Sequence, residues 1–231
     1  MSTADQPAAK APGPSDWPAF IAANTRLLAP PLVPEIRLHL AEESLPIWRR
    51  TEEELGEMNV PPPYWAFAWA GGQALARYIL DNPGLVAGRR VLDLGSGSGL
   101  TAIAAMRAGA SATLAADIDR VSLAAVAINA IANGVTIATT AEDLLASTPA
   151  AEWSVVLVGD LFYERSLAER VERFINRAAM GGARVLIGDP GRSYFPKGRF
   201  ENVAEYRVPV TRELEDAEIK QTAVWQIVRG A

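Results

Sequence analysis

The segment from Arg90 to Leu100, RVLDLGSGSGL, constrains the fold of this chain more than any other part of it. An apolar run leads through Asp93 into glycines that alternate with serines, and the stretch TAIAAMRA follows over 101–108. This order predicts a strand, a tight turn at which a ligand can approach the backbone, and then a helix. Nucleotide and dinucleotide sites share this arrangement, so the segment indicates a ligand site without identifying the ligand.

The residues around the turn distinguish between kinds of ligand-binding loop. A dinucleotide fingerprint, G-x-G-x-x-G/A, needs a small residue at position 100, where this chain has leucine. A P-loop needs a Lys-Ser/Thr pair, which this turn lacks. An aspartate two residues before the first glycine of G-x-G-x-G, here Asp93 before Gly95, resembles the S-adenosylmethionine loop of the seven-strand methyltransferases.

A second carboxylate, Asp117, is predicted at the end of the strand that follows this helix, SATLAA. Because one βα unit returns the chain to the neighbouring parallel strand, Asp117 should lie beside the glycine turn at the carboxyl edge of the sheet. From there its carboxylate can accept hydrogen bonds from both hydroxyls of a ribose. Asp119, which opens the segment DRVSLAAVAINAIANG, is interpreted instead as the N-cap of the next helix.

Apolar runs later in the chain predict the fold class. Uninterrupted runs such as VVLVG and RVLIG are typical of strands buried on both faces, and hence of a parallel sheet. Two alternating segments near the end, ENVAEYRVPV and KQTAVWQIV, predict an antiparallel pair. We therefore expect an α/β fold with a Rossmann-like seven-strand methyltransferase sheet, mostly parallel with an antiparallel C-terminal edge hairpin. The parallel strands are predicted at about 90–94, 112–116, 135–138, 154–159 and 183–188.

Composition excludes several classes of site. The 231 residues include no cysteine, which rules out disulfides, thiolate nucleophiles and thiolate metal sites. Because His39 is the one histidine, a histidine triad or a multi-histidine metal site is also ruled out, so we expect no metal and a structural or surface role for His39. A net charge of −5 argues against a nucleic-acid partner. No apolar run approaches the roughly 18 to 20 residues of a membrane span, so no membrane partner is expected.

Polar residues follow the last two predicted parallel strands. Asp160 and Tyr163 come after the strand that ends at about 159, and Asp189 and Arg192 come after the strand that ends at about 188. The carboxyl ends of parallel strands meet the ligand crevice in open α/β sheets. We therefore expect these side chains to share one rim.

Aromatic residues precede the first helix of the sheet-forming region, in the segment PYWAFAW. Trp69 stands close to Gly71 and Gly72, where a backbone can approach a ligand, so we expect Trp69 to form a wall of the cofactor site. Trp65 and Phe67 suit a core position as well as a ligand-facing one.

An ordered set of segments resembles one family over roughly residues 30 to 229. The segments PEIRL, YWAFAWAGGQALARYIL, VLDLGSGSGLTAIAA, ADID, GDLFYE and RVLIGDPGR closely resemble the electron transfer flavoprotein β-subunit lysine methyltransferases. Those enzymes belong to a wider group of protein lysine methyltransferases with a D-x-x-Y element after strand four, matched here by Asp160 and Tyr163. The resemblance implies S-adenosylmethionine as cofactor and the electron transfer flavoprotein beta subunit as substrate.

The resemblance also implies roles for individual residues. Asp160 and Tyr163 would be catalytic, and we expect them to orient the lysine amine by hydrogen bonds. Asp143 would read the adenine edge, and neighbouring Glu142 is a rival for that role. The implied cofactor-binding residues are Trp69, Asp93, Gly95, Ser96, Gly97, Asp117, Ile118, Asp143 and Asp160. The implied substrate-binding residues are Tyr64, Phe162, Asp189 and Arg192.

We expect three parts along the chain: a flexible tail at 1–17, an N-terminal cap or extension at 18–60, and the methyltransferase domain at 61–231. The N-terminal sequence has no apolar signal core and no arginine-rich amphipathic pattern, so we expect a cytoplasmic protein. Three other functions stay open: a methyltransferase acting on a ribosomal protein or a small amine, an NAD-dependent dehydrogenase, and a cofactor-binding module without catalysis. Leu100 and the antiparallel ending argue against the dehydrogenase.

Overall fold

The computed structural model describes residues 16–41, 62–147, 152–210 and 218–227. None of the helices in these ranges is long and apolar enough to cross a bilayer. In chain order the helices and strands are α1 (Trp17–Asn24), β1 (Arg26–Leu28), β2 (Leu38–Leu40), α2 (Ala70–Asp81), β3 (Arg90–Leu94), α3 (Leu100–Arg107), β4 (Ala112–Ala116), α4 (Arg120–Ala132), β5 (Ala138–Thr140), β6 (Val155–Gly159), α5 (Arg165–Met180), β7 (Arg184–Asp189), β8 (Glu201–Pro209) and β9 (Ile219–Gln226). Short 3₁₀ turns lie at Tyr64–Ala66, Pro83–Leu85 and Leu144–Ala146.

The main sheet has seven strands in the order β5-β4-β3-β6-β7-β9-β8. Neighbouring strands from β5 to β7 run parallel, and β9 lies antiparallel between β7 and the edge strand β8. The predicted fold class is thus confirmed, including the antiparallel pair near the C-terminus. The chain moves outward from β3 to β5 and then crosses to β6, so a ligand crevice is expected between the carboxyl ends of β3 and β6.

The central strand β6 is buried on both faces, as its apolar run predicts. Val155 and Leu157 face the core beneath α2 and α3, whereas Val156 and Val158 face the core against α5. Helix α5 contributes an apolar stripe to that second core, with Phe174 buried in it. The sheet is therefore covered on both sides, and ligands reach it at the ends of its strands.

The third parallel strand lies about three residues later than predicted. The prediction placed it at 135–138, whereas β5 begins at Ala138, which pairs with Leu114 of β4. Val135 and Ile137 pack against the core from the loop before the strand, so their hydrophobicity reflects burial and not strand pairing. The other four parallel strands begin and end within one residue of the predicted positions.

The elements before the sheet are α1 and a hairpin of β1 and β2, which pack against α4. His39 lies in β2, where its ring Nδ1 is 3.1 Å from the Thr25 hydroxyl and burial lowers its pKa. This position gives His39 a structural role. Residues 42–60 of the expected cap lie outside the described residues, as does most of the expected tail.

The first turn of α2 lies directly against the carboxyl ends of β6 and β7. A Cβ on Gly71 would lie 2.2 Å from the Gly188 oxygen, and a Cβ on Gly188 would lie 2.0 Å from the Gly71 oxygen. Only glycine fits at either position without movement of the backbone. This contact sets the amino end of α2 beside Asp160, the first residue after β6.

We predict that Gly71→Ala lowers the free energy of unfolding by about 1–3 kcal/mol, because backbone pressed against backbone cannot be relieved by rotating a side chain. Gly72→Ala is the matched control, since a Cβ on Gly72 meets nothing closer than the Leu100 Cδ2 atom at 3.9 Å. Urea unfolding of both variants measures the difference. Equal stabilities would contradict the close backbone contact.

Candidate functional site

A cavity of about 460 Å³ opens at the carboxyl ends of β3, β4 and β6. A second cavity, of about 600 Å³, lies at the opposite end of the sheet beside Arg89 and Arg184. We assign the ligand site to the first cavity, because open α/β sheets bind ligands at the carboxyl ends of their strands. Its lining residues include Tyr64, Trp69, Gly95, Gly97, Asp117, Ile118, Glu142, Asp143, Asp160, Tyr163 and Arg192.

The glycine turn forms one wall of this cavity, between β3 and α3. Gly95 and Gly97 have φ angles of 63° and 52°, in the left-handed region that glycine adopts without strain. The Gly95 N–H donates to the Ala116 carbonyl of β4 at 2.9 Å. A Cβ on Gly97 would meet nothing closer than the Trp65 Cα atom at 4.0 Å, so a ligand has room beside this backbone.

Asp93 lies beneath the turn and not in the cavity. Its carboxylate accepts hydrogen bonds from the Ser96 hydroxyl, the Thr101 hydroxyl and the Ala102 N–H, at 3.0, 2.5 and 3.2 Å. The side chain is 1% exposed, and this burial raises its pKa to about 6. Asp93 and Ser96 therefore hold the turn and the start of α3 together, and the structure does not bring their side chains to a ligand.

Asp117 lies at the end of β4 and lines the cavity beside the glycine turn, as predicted. Its Oδ2 atom accepts from the Gly97 N–H and its Oδ1 atom accepts from the Asp119 N–H, both at 2.9 Å. Burial raises the pKa of the Asp117 carboxyl, and these two backbone hydrogen bonds oppose that shift. Asp119 itself caps α4, accepting from the Val121 N–H at 2.8 Å, which confirms its interpretation as an N-cap.

The side of the cavity beyond Asp117 is formed by Ile118, Glu142 and Asp143. Ile118 is 74% exposed, so its apolar side chain is accessible to a ligand in the cavity. Asp143 forms an ion pair with Arg170 of α5, whereas Glu142 lines the same wall. Both carboxylates therefore remain candidates for accepting a hydrogen bond from the amino group of a nucleotide base.

An aromatic cluster of Tyr64, Trp69 and Tyr163 borders the mouth of the cavity. The ring centroid of Tyr64 lies 6.1 Å from that of Trp69 and 6.0 Å from that of Tyr163. The Trp69 Nε1 atom donates to the Tyr64 carbonyl at 2.9 Å, which fixes the indole. Tyr163 is half exposed, and its partial burial raises its pKa. Trp65, one of the two ambiguous aromatics, is fully buried in the core.

Asp160 is held from two directions. Its Oδ2 atom accepts from the Gly72 N–H in the first turn of α2 at 2.9 Å, and its Oδ1 atom accepts from Arg192 Nε and Nη2 at 3.1 and 2.7 Å. Its φ angle is 55°, a left-handed conformation that non-glycine residues seldom adopt. Strain of this kind persists where the surroundings fix a residue in place, and it is frequent at functional sites.

Asp189 lies below Arg192 and holds the loop that carries it. Its Oδ1 atom accepts from the Gly191 and Arg192 N–H groups at 2.7 and 2.8 Å. The side chain is 1% exposed and does not line the cavity, and burial raises its pKa to about 7. The expectation that Asp189 binds substrate is therefore wrong: its carboxylate instead holds the loop that positions Arg192.

The structure also keeps Phe162 away from the cavity. Its ring is fully buried in the core against α5 and packs edge-on against Phe195, with 5.3 Å between the centroids. The sequence indicated that a ligand could approach the backbone at Gly72, but not that the Gly72 N–H donates to Asp160. Within the described residues, no group of three or more histidine, aspartate and glutamate side chains could hold a metal ion.

Comparisons with known proteins agree with this arrangement. The family model described as Ribosomal protein L11 methyltransferase (PrmA) matches residues 74–181. An electron transfer flavoprotein beta subunit lysine methyltransferase from Danio rerio is 37% identical over 213 residues, which cover 90% of this chain and 81% of that protein. The corresponding protein from Xenopus laevis is 38% identical over 214 residues, covering 90% and 85%. A solved ribosomal protein L11 methylase from Lactobacillus delbrueckii subsp. bulgaricus shares the fold with a TM-score of 0.51 at 21% identity, covering 81% of this chain and 94% of that chain.

The raised pKa of Asp189 makes the free energy of unfolding depend on pH. Burial raises this pKa from 3.8 to about 7, so the folded protein binds the proton more tightly than the unfolded chain does. The stabilisation that comes from protonated Asp189 is therefore fully present below about pH 4 and is lost as the pH rises toward 7. Asp189→Asn stays neutral and keeps an acceptor for the two N–H groups. We predict that its stability rises relative to the unmodified protein across this window, by up to about 1.4 kcal/mol per pH unit.

Urea unfolding of both proteins at a series of pH values measures this difference. Free energies of unfolding that change in parallel would contradict a protonated Asp189 in the folded state.

Proposed function

Because the chain belongs to the electron transfer flavoprotein beta subunit lysine methyltransferase family, we propose that it transfers methyl groups from S-adenosylmethionine to lysine side chains of the electron transfer flavoprotein beta subunit. One observation supports this most directly: a single cavity joins the glycine turn and Asp117 to the pair Asp160 and Tyr163. The first group of residues suits a donor that contains a ribose. The second suits an amine that must be oriented toward the donor.

The residues around the glycine turn fit S-adenosylmethionine, which supplies an electrophilic methyl group when it is bound. A carboxylate oxygen can accept two hydrogen bonds, so each Asp117 oxygen can still accept from a ribose hydroxyl beside its backbone partner. Trp69 and Ile118 offer apolar surface, and Glu142 or Asp143 offers an acceptor for the adenine amino group. The cavity volume of about 460 Å³ lies within the usual range for small-molecule sites.

A lysine substrate imposes a definite demand on the other half of the cavity. Only the neutral amine has a lone pair that can attack a methyl group, and a free lysine has a pKa of about 10.4. At pH 7 about four lysines in ten thousand are neutral, which corresponds to a cost of roughly 4.6 kcal/mol. The site must therefore favour loss of the proton and hold the resulting amine in line with the methyl group.

The described residues are suited to both tasks. Partial burial between Tyr64 and Tyr163 disfavours the charged ammonium, as does the positive charge of the donor. Asp160 and Tyr163 orient the amine by hydrogen bonds, and the proton leaves to water. Arg192 and Gly72 fix both oxygens of Asp160, so little reorganisation is needed when the amine arrives.

We further propose that 61–231 is the methyltransferase domain and that 18–60 forms a cap on it. The described part of the cap, α1 and the hairpin, packs against α4. The Ala41 N–H donates to the Ala66 carbonyl at 2.9 Å, next to the aromatic cluster. This contact places the described part of the cap beside the turn that carries Tyr64.

A ribosomal protein is the second candidate substrate. It is favoured by the match of residues 74–181 to the family model of ribosomal protein L11 methyltransferases. That range contains the glycine turn and Asp160, but neither Tyr64 nor Arg192. The matched range therefore includes the glycine turn and Asp117, but only part of the group of residues that would hold the amine.

We predict that Asp117→Asn weakens binding of S-adenosylhomocysteine by about 10- to 100-fold, because the amide replaces one acceptor oxygen with a donor and removes the charge. Asp81→Asn is the matched control: it makes the same change at the exposed end of α2, outside the lining of the cavity. Isothermal titration calorimetry measures both affinities, and we expect the control to bind within about twofold of the unmodified protein. Equal losses in the two variants would remove the ribose role from Asp117.

A second prediction tests the reaction itself. Purified electron transfer flavoprotein is incubated with the enzyme and S-adenosylmethionine, and mass spectrometry is expected to detect methyl groups on lysines of its beta subunit. Asp160→Asn and Tyr163→Phe should each lower turnover by about 100-fold or more, with binding of S-adenosylhomocysteine changed by less than about threefold. Tyr206→Phe, in the outer strand β8, is the control.

The outcomes separate the alternatives. An unmodified flavoprotein together with a methylated ribosomal protein would favour the second candidate. Losses of turnover and of affinity that match in Asp160→Asn would assign Asp160 to cofactor binding.

A further inference from the structure

Two asparagines, Asn129 in α4 and Asn133 at the C-cap of that helix, face the backbone of the hairpin. The Asn129 Oδ1 atom accepts from the His39 N–H at 2.7 Å. One helical turn later, Asn133 accepts from the Arg37 N–H at 3.0 Å and donates to the Arg37 carbonyl at 2.6 Å. Asn129 and Asn133 lie four positions apart and therefore project from the same side of the helix. The N–H groups of Arg37 and His39, two positions apart, point to the same edge of the hairpin, so each asparagine pairs with one of them.

Asn129 has a second partner that Asn133 lacks. Its Nδ2 atom donates to the Ser98 carbonyl at 2.9 Å, inside the glycine turn. Asn129 is 0% exposed and Ser98 is 6% exposed, so the bond between them is shielded from water. The oxygen of the amide must face an N–H and its nitrogen must face a carbonyl, which permits one orientation of the side chain.

The hairpin also reaches the site by a separate route. Its last described residue, Ala41, donates to the Ala66 carbonyl in the turn that carries Tyr64. The hairpin thus contacts the glycine turn through Asn129 and the aromatic cluster through the backbone. These two contacts place one small element against both halves of the cavity.

We infer that Asn129 is a positioning residue that couples docking of the hairpin to binding of the cofactor at the glycine turn. The inference rests on the proposed use of that turn as the cofactor site. A cofactor that needs the turn in this conformation strengthens the bond between Ser98 and Asn129, and that bond holds the amide toward His39. Because coupling between two sites is reciprocal, the docked hairpin raises cofactor affinity and the bound cofactor stabilises the hairpin.

The test compares Asn129→Ala with Asn133→Ala. Both variants lose hydrogen bonds to the hairpin, but only the first loses the bond to the glycine turn. Isothermal titration calorimetry with S-adenosylhomocysteine is expected to show affinity about tenfold weaker for Asn129→Ala and within about twofold for Asn133→Ala. Asn129→Leu, which fills the same space without polar groups, is the second variant if the alanine variant unfolds.

Hydrogen exchange supplies a readout that a general loss of stability does not move. In the unmodified protein and in Asn133→Ala, S-adenosylhomocysteine should slow exchange of the amides at 36–41. In Asn129→Ala the same ligand, at concentrations that saturate the site, should slow exchange of the Arg37 and His39 amides much less than in Asn133→Ala, and equal slowing in the two variants would overturn the inference.

Failure of this inference and failure of the proposed function are distinguishable. If the unmodified protein does not bind S-adenosylhomocysteine, the proposed cofactor is wrong. If it binds, but the two variants lose affinity equally or not at all, the coupling through Asn129 is overturned.

Discussion

The turn from Gly95 to Gly99 depends on side chains from three other places in the chain. Asp93 supports it from below through Ser96, Asp117 accepts from the Gly97 N–H, and Asn129 donates to the Ser98 carbonyl. The three glycines of this turn have no side chains to pack, so hydrogen bonds must fix its backbone. The result is a backbone that is held in one conformation and still leaves room for a ligand on the side facing the cavity.

The second half of the cavity depends on a close approach of backbones. Because Gly71 and Gly188 have no side chains, the first turn of α2 reaches the carboxyl ends of β6 and β7. The amino end of a helix carries partial positive charge and free N–H groups, which suits the Asp160 carboxylate. Arg192 binds the same carboxylate from the loop after β7, and Asp189 holds that loop. The strained φ angle of Asp160 is thus maintained by contacts from two neighbouring elements.

The parts of this arrangement that sequence could predict are those with a local signal. Apolar runs located four of the five parallel strands within one residue, and alternation identified the antiparallel pair. Spacing placed Asp117 beside the glycine turn. The direction of a side chain at the end of a strand carries no such signal. Phe162 stands next to the cavity residue Tyr163 and Asp189 stands three positions from Arg192, yet both side chains are buried away from the cavity. Asn129 and Asn133 pair with residues about ninety positions earlier, which no local pattern indicates.

A crystal structure of the protein with bound S-adenosylhomocysteine tests whether the glycine turn is the cofactor site. We predict a nucleoside against the Gly95–Gly97 backbone, with its ribose hydroxyls within hydrogen-bonding distance of the Asp117 carboxylate and its sulfur facing Asp160 and Tyr163. A ligand bound at the opposite end of the sheet beside Arg89, with nothing against the glycine turn, would contradict it.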